Sequence, residues 1–149
     1  MDSIIANAWY VAMWSEALAA GHTSEREIAG QNVVVYRQPD GTVAALENRC
    51  PHQFAPLHMG HVCENGNLRC GYHGLQFDAN GACVHNPHGR GSIAPTMKVR
   101  TFPIVERHSL IWPRWPVQIP PPVATPNSPG KTGWIMTTQC RWRCVRRPL

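Results

Sequence analysis

Cys50-Pro51-His52 and Cys70-Gly71-Tyr72-His73 stand 17 residues apart, and any fold open to this chain must bring those two short segments together. Two soft thiolates and two imidazoles, supplied as two loops, read as a four-ligand metal site. Two occupants meet that donor set: a tetrahedral zinc ion, or a [2Fe-2S] cluster in which one iron takes both cysteines and the other both histidines. Spacing favours iron and sulfur. Structural zinc loops separate paired ligands by about two to four residues so that both reach one ion, whereas a single residue lies between Cys50 and His52. A loop that gives one Cys and one His suits a two-metal rhomb, because each loop reaches both irons while like ligands meet from opposite loops.

The six cysteines would also suit a disulfide framework. However, Met1-Asp2-Ser3 places no Lys or Arg ahead of an apolar stretch, and no run approaches the roughly 18 to 20 apolar residues that cross a bilayer. The expectation is a soluble, unexported, cytoplasmic chain with reduced thiols, which again favours metal. At 149 residues, 43% apolar and 15% charged, one globular domain with a modest core is expected. The formal charge of +5 is a local effect: residues 113–149 hold six basic residues, no Asp or Glu, and eight of the 14 prolines, so residues 1–112 are close to neutral. Pro120-Pro121-Pro122, Pro126, Pro129 and Gly130 leave no place for a packed element there. The chain therefore divides into a body, 1–112, and a Pro/Arg-rich tail, 113–149, expected to be extended and disordered. The tail has Arg and Trp but no folded platform, so nucleic acid is not the expected partner.

The body reads as all-β, short strands separated by turns, in the pattern of an antiparallel sandwich or small barrel. Asn32-Val33-Val34-Val35-Tyr36-Arg37 pairs with Thr42-Val43-Ala44-Ala45-Leu46 across Pro39-Asp40-Gly41. Asn65-Gly66 and Asn80-Gly81 each sit between apolar segments and mark two tighter hairpins. Lys98–Phe102, Ile104-Val105 and Ser109–Trp112 are further strand material, broken at Pro103 and turned at Glu106-Arg107-His108. One short N-terminal helix is expected from Trp14-Ser15-Glu16-Ala17-Leu18, with Ser15 as its cap and Gly21 soon ending it.

Cys50-Pro51-His52 through Cys70-Gly71-Tyr72-His73-Gly74-Leu75 resembles the Rieske motif. Asn7–Ala12, Phe54-Ala55-Pro56-Leu57, Gly71–Asp78 and Phe102-Pro103-Ile104-Val105-Glu106-Arg107 are similar to the N-terminal domain of Rieske non-haem iron oxygenases of the vanillate O-demethylase and toluenesulfonate monooxygenase kind. The resemblance covers about residues 5 to 112. It implies a Rieske-type antiparallel β-sandwich with a small cluster-binding subdomain, and a [2Fe-2S] cluster held by Cys50, His52, Cys70 and His73. High-potential members of the wider group carry a further Cys in each loop, joined as a disulfide; here those positions are Ala55 and Tyr72. The expected potential therefore lies toward the low end of the Rieske range, about −150 mV rather than +300 mV. Gly71 and Gly74 would let backbone amides approach the bridging sulfides, and Pro51 and Pro56 stiffen the first loop. Each ligand histidine would keep a second ring nitrogen for a proton, so the potential is expected to fall with rising pH.

Other candidates have plainer readings. His58 and His61, inside the 17-residue gap, are expected on the surface or in support of the ligands. His85 and His88 flank Pro87 in a solvated loop or border a docking surface. Cys63 and Cys83 read as small buried apolar residues on strands. Cys140 and Cys144 resemble half a zinc site lacking its other half. Trp9, Tyr10 and Trp14 read as core.

A complete oxygenase of this family has a second domain that holds mononuclear Fe(II) through two histidines and a carboxylate. No His follows His108 and no Asp or Glu follows Glu106, so that site is expected to be missing. A reading-frame shift near Trp112 is the expected account of the change of character, with a natural short protein that carries an unusual tail as the alternative. Displacing the codons by one base converts Trp134-Ile135-Met136-Thr137 into an apolar residue, Asp, then His, Asn or Tyr, then Asp. The resemblance implies a flavin and iron–sulfur reductase or a ferredoxin as electron donor, homo-oligomeric full-length relatives and no membrane partner. On this reading the chain transfers electrons and does not hydroxylate. The rival is a stand-alone Rieske ferredoxin, which the length suits and the oxygenase-like segments oppose.

Overall fold

The computed structural model describes residues 5 and 7–115, together with the strands 134–136 and 142–144. The first strands are β1 (Met13–Trp14), β2 (Thr23–Ile28), β3 (Gln31–Arg37) and β4 (Val43–Glu47). A second set follows: β5 (His61–Val62), β6 (Leu68–Arg69), β7 (Gln76–Phe77) and β8 (Cys83–His85). The remaining strands are β9 (Ile104–Arg107), β10 (Leu110–Pro113), β11 (Trp134–Met136) and β12 (Trp142–Cys144). Short 3-10 turns at Ser15–Ala17 and Leu57–Met59 are the only helical pieces among the described residues.

The strands form antiparallel sheets β2-β3-β4, β5-β6-β7-β8 and β1-β10-β9. The expected hairpins are present, and their turns explain them. Gly66 and Gly81 take φ of 83° and 74°, where a side chain would be strained. Asp40 Oδ1 accepts the Thr42 amide at 2.9 Å in the turn between β3 and β4. His108 and Ser109 turn β9 into β10, both with positive φ, the backbone that matches strand twist in a two-residue turn.

The alternation in β3 builds two cores. Val34 and Tyr36 face one way, with Leu46, Leu57, Leu68 and Phe77, and this core includes Cys50 and Cys70. Val33 and Val35 face the other way, with Leu18, Phe102, Ile111 and Trp115. Sheet β2-β3-β4 is thus the middle layer of the sandwich, and β5–β8 carry the smaller subdomain on one side. Residues 98–102 stitch the two together: Val99 N–H donates to Gly81 at 2.8 Å, and Phe102 N–H to Ala45 at 3.0 Å.

Several expectations change. The short helix is a single 3-10 turn, and Ser15 does not cap it, because its hydroxyl donates to Glu106 on β9 instead. Trp9 and Trp14 are exposed, 47% and 58%, and only Tyr10 of that trio packs on the core. Cys63 and Cys83 are half-buried. Ordered packing continues past the expected boundary at 112: Pro113 pairs with Ile104, and Trp115 is fully buried with its amide donating to Ala8 at 2.8 Å. Within the tail, β11 and β12 pair antiparallel where no element was expected. The expected disorder of the rest of 113–149, and Cys140, lie outside the described residues.

Candidate metal centre

The first ligand segment leaves β4 and the second links β6 to β7, and the two loops are built alike. Cys50 N–H donates to Ala55 at 2.9 Å and Phe54 N–H returns to the Cys50 carbonyl at 2.8 Å. Cys70 N–H donates to Leu75 at 2.8 Å and Gly74 N–H returns to the Cys70 carbonyl at 3.0 Å. The fourth residue after each cysteine turns left-handed, Phe54 at φ 59° and Gly74 at φ 75°. Gly74 takes that conformation at no cost. Phe54 is held there with its ring under the Arg49 guanidinium, 3.8 Å from the centroid.

Because the loops match, like groups meet. Cys50 and Cys70 are buried, 2% and 1% exposed. Burial pushes the Cys50 thiol up to about 11, the His52 and Gln53 amides that point at its sulfur pull it down, and the adjacent Cys70 thiol pushes it up again. Two thiols crowded in an apolar core are poor anions until a cation shares the site. The His52 and His73 rings lie at the surface with centroids 4.6 Å apart. Partial desolvation, then His52 and His88, hold His73 below the usual imidazole range, which favours the neutral ring a metal takes up.

The four sequence-derived residues are therefore brought together, as two pairs. Among the described residues no three His, Cys, Asp or Glu side chains converge as a single ion would need. A buried sulfur pair and a separate imidazole pair nearer the surface suit two metal ions better than one tetrahedral zinc. Gly71 also meets a packing need, since a Cβ there would meet the Met59 carbonyl oxygen at 2.8 Å. The absence of a side chain lets the second loop lie against the turn that follows the first.

The other histidines separate by position. His61 and His85 are exposed on β5 and β8. His88 borders the ligands: its Nε2 donates to the His73 carbonyl at 2.7 Å, and it lines a cleft of about 320 Å³ with His52, His73, Leu75, Asn86 and Met97. His58 bonds Asn48, a residue the sequence reading missed. The one signal for Asn48 was its place in the short polar stretch Glu47-Asn48-Arg49 between the apolar run Val43–Leu46 and Cys50.

The Rieske [2Fe-2S] domain family matches residues 8–103. Dicamba O-demethylase, oxygenase component, of Stenotrophomonas maltophilia is 52% identical over 114 residues, covering 76% of this chain and 33% of that protein. Toluene-4-sulfonate monooxygenase system iron-sulfur subunit TsaM1 of Comamonas testosteroni is 44% identical over 108 residues, 72% of this chain and 30% of that one. Among solved structures, dicamba monooxygenase bound to 3,6 dichlorosalicylic acid superposes with a TM-score of 0.72 at 51% identity, over 78% of this chain and 33% of that chain. The chain spans about a third of the length of these relatives and corresponds to their N-terminal part. No helix among the described residues is long and apolar enough to cross a membrane. The chain belongs to the Rieske [2Fe-2S] domain family, and the relatives it is similar to over their N-terminal part are oxygenase components.

Proposed function

We propose that Cys50 and Cys70 hold one iron and His52 and His73 the other of the [2Fe-2S] cluster, and that this domain carries electrons within an oxygenase component of an aromatic monooxygenase or demethylase. One observation carries the assignment: two loops with the same hydrogen bonding bring together a buried thiol pair and a His52–His73 ring pair, exposed at His52 and half-buried at His73. When bound, the cluster supplies a one-electron store. The chain's own residues do the rest. The apolar core around Cys50 and Cys70 keeps water from the sulfur side, and the His52 and Gln53 amides direct donors at sulfur. The His52 and His73 rings form the exposed end, each with a second nitrogen to hold a proton.

The donor is a flavin and iron–sulfur reductase or a ferredoxin, the location is cytoplasmic, and the full-length protein is a homo-oligomer. Mononuclear Fe(II) belongs to the part of the relatives that this chain does not span. The 52% identity with the dicamba O-demethylase oxygenase component favours the oxygenase role over a stand-alone ferredoxin. Ala55 and Tyr72 stand where a disulfide would raise the potential, and Cys50, Cys63, Cys70 and Cys83 are free.

Iron and acid-labile sulfide assays with the electron paramagnetic resonance spectrum of the dithionite-reduced protein test the cofactor. Equal iron and sulfide with a Rieske-type signal are expected, and colourless or zinc-loaded protein overturns the assignment. A midpoint potential near about −150 mV supports the oxygenase role, and one above about +100 mV excludes it.

A further inference from the structure

The first ligand loop runs from the end of β4 to the turn at Leu57–Met59, and its two ends are joined by side chains. Asn48 is the one buried polar or charged residue among those described, 5% exposed. The His58 backbone N–H meets the Asn48 carboxamide at 2.8 Å. A backbone N–H only donates, so the atom it meets is Oδ1, and the orientation of the carboxamide is fixed. Nδ2 then points to the other side with two hydrogens. One goes to Asn32 Oδ1 at 3.0 Å, and the other to His58 Nδ1 at 2.7 Å.

An amide hydrogen cannot be accepted by a protonated ring nitrogen. His58 Nδ1 therefore carries a lone pair, and its ring hydrogen sits on Nε2, which faces the Glu25 carboxylate on β2 at 3.5 Å. Asn32 donates to the same carboxylate, closing a ring of four side chains. Thr23 Oγ1 donates to the His58 carbonyl at 2.9 Å and ties the far end of the loop to β2 as well. Between positions 48 and 58 the main internal ties are the two backbone bonds around Cys50. The two bonds from Asn48 to His58 thus bear on how often the whole loop opens.

We infer that Asn48 and His58, with His58 fixed as the Nε2–H tautomer, form a clasp across the base of the first ligand loop and act as positioning residues for Cys50 and His52. This rests on the ligand assignment proposed above. The clasp needs an acceptor at the Nδ1 position and nowhere else on the ring. His58→Asn places its Oδ1 there, His58→Gln places its polar atoms further out, near the Nε2 position, and His58→Leu has none.

The test compares these variants of the cluster-loaded chain by the rate at which visible absorbance bleaches, with long-range proton–nitrogen NMR of His58 in the unaltered protein. His58→Leu and His58→Gln are expected to bleach on the order of tenfold faster, the factor that an orphaned buried amide donor brings. His58→Asn is expected to stay within about twofold of the parent. NMR is expected to show the hydrogen on Nε2. A hydrogen on Nδ1, or a His58→Leu protein that bleaches at the parental rate, overturns the clasp. A chain that takes up no iron or sulfide refutes the ligand assignment instead, and the ring tautomer still decides the clasp. The NMR readout also stands if His58→Leu fails to fold.

Discussion

Gly60 is the residue with least room to change. A Cβ on it would lie 1.8 Å from the Arg69 carbonyl oxygen and 3.1 Å from the Gly71 nitrogen, the atoms on either side of Cys70. Both obstacles are backbone, so nothing yields cheaply. Gly60→Ala is expected to cost about 1 to 3 kcal/mol or more and to reduce cluster retention, measured by denaturant unfolding and bound iron. Gly21→Ala is the control: it has φ 77° but nothing within 4 Å, so only backbone strain of about 1 kcal/mol is expected, with iron content unchanged. Tyr36 offers the opposite sign. Its hydroxyl is buried without a hydrogen-bond partner among the described residues, and burial followed by Asp78 pushes its ionisation up. Tyr36→Phe is expected to be neutral or stabilising by up to about 1 kcal/mol in the same unfolding assay. The proposed ligand quartet was legible because thiolate and imidazole chemistry is written in residue type. Gly60 and Asn48 were not, since their importance comes from contacts with backbone that is distant in sequence or folded back by a loop.

Strands declared themselves where turn chemistry and β-branched runs agreed, as in β3 and at Asn65-Gly66 and Asn80-Gly81. β2 did not, because Thr23–Ile28 carries two glutamates and an arginine and forms a sheet edge. It turns into β3 through Ala29 and Gly30, both with positive φ, without a recognisable turn dipeptide. The joint between elements that matters most is equally silent in sequence. Arg37, at the end of β3, donates through Nε to the Leu18 carbonyl at 2.8 Å and through Nη1 to the Gly41 carbonyl at 2.7 Å, and contacts Ser15 and both carboxylate oxygens of Glu106. One guanidinium thus joins β3, its hairpin turn, the first 3-10 turn and β9. Hydrogen bonds from Arg37 and then Ser15 hold the Glu106 carboxyl below its ordinary range. A depressed carboxylate contributes stability that is complete above the unfolded-state value and is lost as pH falls through the folded-state one. Glu106 is partly exposed, so screening limits the effect. Glu106→Gln is expected to lose about 0.2 to 1 kcal/mol at neutral pH. Denaturant titrations repeated toward acid should show the difference from the parent shrinking below the carboxylate range, and shrinking likewise in high salt.

Because β3 is buried on both faces, the molecule has two cores with different duties. The one containing Val34, Tyr36 and Leu57 also holds Cys50 and Cys70, whereas the other is closed by Trp115, stacked on Phe102 at 4.9 Å and edge-on to Tyr10 at 6.3 Å. The sequence hid this last side chain. Pro113 reads as the end of structure, yet it sits at the end of β10 where its carbonyl accepts the Tyr10 amide at 3.0 Å, so its missing N–H removes nothing and the chain goes on to bury an indole. Trp115→Ala is expected to cost about 3 to 5 kcal/mol, since it empties a fully enclosed site. Trp115→Phe keeps the stack and removes an indole N–H that has no partner among the described residues, so its cost should stay under about 2 kcal/mol. The folded fraction of both variants should keep the parental visible spectrum, because the ligand loops belong to the other core. A Trp115→Ala protein that unfolds at the parental denaturant midpoint would show that the ordered domain ends before this residue. An altered spectrum in folded protein would show instead that the two cores share one mechanical unit through β3.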